Sequence, residues 1–201
     1  MRLDVFSPSV RSARLELLSD RDHYDRLIAK AVASTSVSLW IATANVKDMH
    51  VEAPVGSSAR ARGRYISLLD TFASFVRRGV EIRILHAAPP SRAFRATLAK
   101  LPILKPPQFE MRLCPRVHMK MIAVDGTYLY LGSANFTGAG LGAKGEGRRN
   151  FEMGIATDDD VLLDRTQERF DAIWSGRMCA GCRLRSVCPA PLDGVSTLAA
   201  E

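Results

Sequence analysis

Hydrophobic and polar positions follow two alternating periods along the chain. Tyr24, Leu27, Ile28, Ala31 and Val32 recur at helical spacing, behind Ser19 as an N-cap with Asp22 three residues on. Val37, Leu39 and Ile41 alternate with Ser38, Trp40 and Ala42, which predicts a strand. Positions 65, 68, 69, 72, 75 and 76 form one helix face, and Gly79 ends that helix before Val80, Ile82 and Ile84 open a second strand. A strand–helix–strand unit of this kind predicts a parallel pair. Residues 91–101 read as a short helix stopped by Pro102. Phe109, Met111 and Leu113 mark a third strand, and strands 119–124 and 128–132 flank Asp125-Gly126, a hairpin turn. A strand at 152–156 leads into a helix from about Asp158 to Trp174, whose three leading aspartates suit the positive end of its dipole. Strands alternating with helices predict an α/β layered fold.

Composition narrows the picture. With 201 residues, the expectation is a single domain over 1–178 and a short cysteine-containing tail over 179–201. A 47% hydrophobic and 24% charged chain is not a disordered one. No apolar run approaches the ~20 residues of a membrane span. Arg2, Asp4, Arg11, Arg14 and Glu16 interrupt the first twenty residues, so no secretory signal and no membrane partner are expected, and the cytoplasm is the expected compartment. The net charge of +7 suits a polyanion. Two basic loops offer contacts to a nucleic-acid backbone: 53–64, with Arg60, Arg62 and Arg64, and 138–149, with Lys144, Arg148 and Arg149. The glycines of the second loop predict mobility.

The stretch His118-Met-Lys-Met-Ile-Ala-Val-Asp-Gly-Thr-Tyr-Leu-Tyr-Leu-Gly-Ser-Ala-Asn135 carries the chemistry. A two-residue turn pairs residue 124 with 127 and sets His118 opposite Ser133. His118 and Lys120 then share a face, and Asn135 follows the partner strand. That register places Ile122, Val124, Leu129 and Leu131 on one face and Met119, Met121, Tyr128 and Tyr130 on the other. An imidazole, an ammonium, a hydroxyl and a carboxamide at one spot suit a phosphate.

Histidine, one residue, lysine, four residues, aspartate, six residues, then Gly-Ser-x-Asn resembles the signature of the phospholipase D superfamily. His118, Lys120, Asp125, Gly132, Ser133 and Asn135 match it without departure. The resemblance implies a mixed β-sheet flanked by helices on both faces. It also implies a phosphodiesterase that needs no cofactor for catalysis and works through a phosphohistidine. A second histidine protonates the leaving oxygen and then activates water. With one motif per chain, this sequence is similar to the single-motif bacterial nuclease-like members, which are homodimers with the site across a two-fold axis. Glu152, shortly after the motif, matches a family acid and is the expected partner of the far nitrogen of His118. Asp125 and Gly132 are read as structural. Charge and size favour nucleic acid as the partner; a phospholipid hydrolase and a catalytically idle accessory subunit are the alternatives.

Cys179, Cys182 and Cys188 have the spacing C-x2-C-x5-C, and thiolates so spaced hold zinc or an iron–sulfur cluster. The trio resembles the C-terminal cysteines of some iron–sulfur nucleases, which take a fourth ligand from far upstream. Cys114 is the cysteine left to supply it.

Overall fold

A computed structural model describes residues 12–194, positions 54, 55, 57 and 64 excepted. Strands are β1 Glu16–Ser19, β2 Ser38–Thr43, β3 His50–Glu52, β4 Tyr65–Ser67, β5 Glu81–His86, β6 Phe109–Leu113, β7 Met121–Val124, β8 Tyr128–Gly132 and β9 Met153–Thr157. Helices are a π-wound helix at His23–Ala31, then α1 Ser58–Ala61, α2 Leu68–Arg77, α3 Arg92–Leu98 and α4 Asp160–Trp174. Seven strands make one mixed sheet in the order β1-β9-β8-β7-β2-β5-β6, and β3 pairs with β4 apart from it. β2 and β5 are parallel, as the strand–helix–strand pattern predicts, and β5 and β6 extend the parallel part. β7, β8, β9 and β1 are antiparallel to their neighbours.

Each face of the sheet has its own apolar layer. Leu39 and Ile41 of β2 and Ile82 and Ile84 of β5 meet Leu27 and Ile28 of the first helix and Phe72 and Phe75 of α2. Ala42, Leu85, Ala123 and Leu129 meet Leu163, Phe170 and Trp174 of α4. Helices thus cover both faces, as the α/β expectation requires. Side-chain caps define the starts: Ser67 Oγ accepts from Leu69 N (3.1 Å), Ser91 Oγ from Phe94 N (3.2 Å) and Asp159 Oδ1 from Leu162 N (2.9 Å).

Three local readings are corrected. Ser19 ends β1 rather than capping a helix; its N–H donates to Asp22 Oδ2 (3.1 Å), and the helix begins at His23. Residues 65–67 extend as β4 before α2 begins, because they pair with β3. The hairpin is one residue out of the expected register. Thr127 N still donates to Val124 O (3.0 Å), with Asp125 and Gly126 at φ 53° and 64°, but the ladder pairs Val124 with Tyr128. The additional residue, Thr127, exchanges the faces of the whole partner strand. Tyr128 and Tyr130 lie with Ile122 and Val124, while Leu129 and Leu131 lie with Met121 and Ala123.

Asp125 ties this hairpin to the start of β2. Its carboxylate accepts from the N–H groups of Ser36 (2.9 Å), Val37 (2.8 Å) and Ser38 (2.9 Å), and from Ser36 Oγ (2.8 Å). Partial burial pushes its pKa up, but these hydrogen bonds outweigh it and hold the group below the ordinary carboxylate range. Asp125→Ala leaves several backbone donors without their acceptor and is expected to cost about 1–3 kcal/mol in urea unfolding. A depressed folded pKa stabilises above the unfolded pKa and is lost as pH falls through the folded value. The wild-type advantage over Asp125→Ala is therefore expected to be full at neutral pH and to shrink in acid; an advantage unchanged in acid would contradict this role.

Candidate active site

The motif residues sit where two chain segments leave the same end of the sheet. His118 and Lys120 precede β7 rather than lying in it, and Ser133 and Asn135 follow β8. One bond continues the ladder between them, from Gly132 N to Lys120 O (3.1 Å). All four side chains line one open cavity of ≈ 870 Å³ on the α4 side of the sheet. The register error therefore does not separate them: their positions are set by the two exits and not by direct cross-strand pairing.

Each polar group is oriented by its neighbours. Lys120 Nζ donates to the backbone carbonyl of His118 (2.9 Å), which ties the ammonium to the segment that carries the exposed imidazole. Asn135 Oδ1 accepts from Thr43 Oγ1 (3.3 Å) and from the N–H groups of Ala44 and Asn45 (both 3.2 Å). With its oxygen so occupied, Asn135 offers its Nδ2 amino group as a donor at the cavity. Ser133 Oγ accepts from Met153 N (3.1 Å) and donates to Glu152 Oε2.

Glu152 is buried, and its hydrogen-bond partners within the chain are Ser133, Asn150 and Asp20. Oε2 receives Ser133, Oε1 receives Asn150 Nδ2 (3.0 Å), and its backbone N–H donates to Asp20 Oδ1 (3.0 Å). The imidazole of His118 is not among its hydrogen-bond partners within the chain.

Gly132 answers to a close approach. The ring of Tyr130 folds over the facing pair Gly132 and Gly154, and a Cβ on Gly132 would stand 2.8 Å from Gly154 Cα as well as striking that ring. Tyr130 is fully buried there, edge-on to His23 with 5.3 Å between centroids.

Arg165, Thr166 and Arg169 of α4 complete the cavity wall, and sequence reasoning missed them. The available signal was the one-turn spacing of the two arginines opposite the apolar Leu163, Phe170 and Trp174. The loop cations lie elsewhere. Arg60 pairs with Glu52 and, like Arg62, is absent from the cavity wall, as are Lys144, Arg148 and Arg149. Arg64 lies outside the described residues. The second loop is held by Lys144 N to Gly138 O (3.0 Å), Asn150 N to Ala139 O (3.2 Å) and the buried Leu141, rather than being the free coil its glycines suggest.

All four cysteines are free thiols, and all four line a second, small cavity of ≈ 90 Å³ under the tail. Among the described residues, no group of three or more His, Cys, Asp or Glu side chains is arranged as a metal site. No helix among them is long and apolar enough to cross a membrane.

The sheet, the cavity and the motif define a phospholipase D-like protein. The model of the PLD-like domain of cardiolipin synthase matches residues 28–174, and the chain belongs to this phosphodiesterase superfamily. Its fold is similar to that of NucT from Helicobacter pylori, with 17% identity over 80% of this chain and 94% of that one and a TM-score of 0.55. Nuc from Salmonella typhimurium, a phospholipase D family member, is similar at 17% identity over 82% and 95% of the two chains, TM-score 0.55. Phosphatidylserine synthase from Haemophilus influenzae gives 16% identity over 82% of this chain and 41% of its own, TM-score 0.51. No curated protein sequence matches the chain.

Proposed function

We propose that this protein is a nuclease that hydrolyses DNA or RNA phosphodiesters through a phosphohistidine on His118, as a homodimer and without a metal at phosphorus. The observation that carries the reading is the single cavity shared by His118, Lys120, Asn135, Arg165 and Arg169. Its wall presents cations and amide donors and, among the described residues, no carboxylate. Magnesium takes carboxylate oxygens, whereas this wall suits the phosphate oxygens themselves. A ring nitrogen of His118 attacks phosphorus, the bond to the leaving oxygen breaks, and an imidazolium from a second chain protonates that oxygen. The same imidazole then takes a proton from water, whose oxygen displaces His118 from phosphorus. Lys120 and the Asn135 amide stabilise the charge on the non-bridging oxygens throughout.

Support for the homodimer comes from a bare part of the sheet. Beyond α4, no helix among the described residues covers the face carrying Leu17, Met153 and Ile155, and Leu17 and Met153 are each 59% exposed. Phe151, beside Glu152, is 96% exposed. An apolar face next to the cavity suits a second copy related by a two-fold axis, which brings a second His118 to the first.

Turnover of bis(p-nitrophenyl) phosphate, followed by competition with DNA, RNA and anionic phospholipid vesicles, tests the reading. Stronger competition and cleavage with vesicles would make it a lipid hydrolase; nucleic-acid binding without any turnover would make it an accessory subunit. The arginines divide the same experiment. Replacing Arg165 and Arg169 is expected to lower both small-diester turnover and nucleic-acid affinity. Replacing Arg60, Arg62 and Arg64 is expected to spare the small diester and to flatten the salt dependence of nucleic-acid binding by about 0.9 per lost phosphate contact. An unchanged salt slope in the triple variant would remove that loop from the footprint.

A further inference from the structure

The family match ends at residue 174, and the cysteines of the tail lie beyond it. Cys114 is separated from them by the whole β7–α4 region, yet it lines the same ≈ 90 Å³ cavity as Cys179, Cys182 and Cys188. The chain has four cysteines, and one cavity gathers all of them. Around it the tail has little regular structure, with single 3-10 turns at Arg177–Cys179 and Leu192–Gly194. Its apolar anchorage among the described residues rests on Cys179 and Leu192 packing beside Phe170 and Trp174.

The local backbone turns tightly at the cysteines. Cys179-Ala-Gly-Cys182 forms a type II turn, with Ala180 at φ −60°, ψ 122° and Gly181 at φ 72°, closed by Cys182 N to Cys179 O (3.1 Å). The left-handed Gly181 is what lets two cysteines three apart flank one turn. Arg185 N to Cys182 O (3.0 Å) and Val187 N to Leu184 O (3.1 Å) continue the turns toward Cys188. Cys114 starts its own turn, closed by Val117 N to Cys114 O (2.9 Å). The Arg116 guanidinium and the backbone N–H of Leu184 lie against the Cys182 sulfur as hydrogen-bond donors. Donors to sulfur of this kind surround ligating thiolates.

We propose that Cys114, Cys179, Cys182 and Cys188 form a four-thiolate metal centre that staples the tail to the segment leading into His118. Ligation requires the thiols, which already share the cavity wall, to turn inward and lose their protons to solvent on binding. The chemistry is that of a thiophilic centre, either one zinc ion or an iron–sulfur cluster. The centre would stand four residues before His118, and Arg169 lines both its cavity and the motif cavity. Its role is to hold those walls and not to act at phosphorus.

The test is metal analysis of the full chain purified anaerobically, with thiol alkylation before and after metal release by a mercurial. About one zinc ion per chain, or the iron and sulfide of one cluster with its visible absorbance, is expected. The four thiols are expected to resist alkylation until release. Cys114→Ser and Cys188→Ser are each expected to abolish stoichiometric metal. The analysis of the unaltered chain stands even if a variant fails to fold. Metal-free protein whose four thiols alkylate at once would overturn the proposal, as would a pair of disulfides in the anaerobic protein. Metal retained in full by both serine variants would overturn the ligand set.

Discussion

His118→Ala is expected to lower turnover of bis(p-nitrophenyl) phosphate at least about 10³-fold, with the fold intact. The size follows from what is removed. Losing the nucleophile removes the covalent route, and the cations of the cavity wall can still bind the diester but have nothing to deliver to phosphorus. Lys120→Ala and Asn135→Ala remove donors to developing charge and are expected to cost about 10²–10³-fold each. Wild-type activity is expected to persist in excess EDTA, with circular dichroism on the same sample to separate chemistry from any loss of structure at the tail. Quenching the reaction in alkali should leave phosphate on His118, because a phosphoramidate survives base and not acid. Strict dependence on added magnesium, together with an active His118→Ala variant, would refute the phosphohistidine route.

The motif was legible in the sequence because its chemistry lies in residue identity and spacing, which folding does not alter. The strand–helix–strand pair of β2 and β5 was legible for a similar reason: Leu39, Ile41, Ile82 and Ile84 write the period of a strand. What escaped depends on partners distant along the chain. β1 has four residues and is a strand by virtue of β9. Tyr65 stands in helical phase with Leu68, Leu69 and Phe72, and only pairing with β3 draws it out of α2. The hairpin shows how one residue matters: Asp125-Gly126 makes the expected turn, but Thr127 enters before the ladder and turns Tyr130 onto the opposite face. Glu152 was visible as an acid after the motif, while its bond to Ser133 depends on which backbone exits β8 beside β9. Arg165 and Arg169 were missed because their one-turn spacing marks a polar helix face and does not by itself say that a cavity lies beside it. Cys114 is far from the tail in sequence, and the fold brings it to the cavity wall that the tail cysteines line.

Breaking the proposed two-fold interface is expected to abolish activity as fully as removing the histidine. Phe151 and Met153 are exposed and apolar, so Phe151→Asp with Met153→Lys exposes no core and should fold as a monomer. Each such monomer retains His118, Lys120 and Asn135 but has one imidazole where the route needs two. The loss is expected to match His118→Ala, at least about 10³-fold, and sedimentation should show a single chain with an unchanged circular dichroism spectrum. Mixing supplies the complementary measurement. If each dimer needs both imidazoles, random exchange of wild-type and His118→Asn chains in equal amounts should leave about one quarter of the all-wild-type activity rather than about one half. Subunit exchange must be allowed to reach equilibrium, since preformed wild-type dimers would otherwise hold the activity near half. A monomeric variant with full turnover, or activity that falls only in proportion to the wild-type share after complete exchange, would show that one chain carries the whole reaction and that the acid must come from within it.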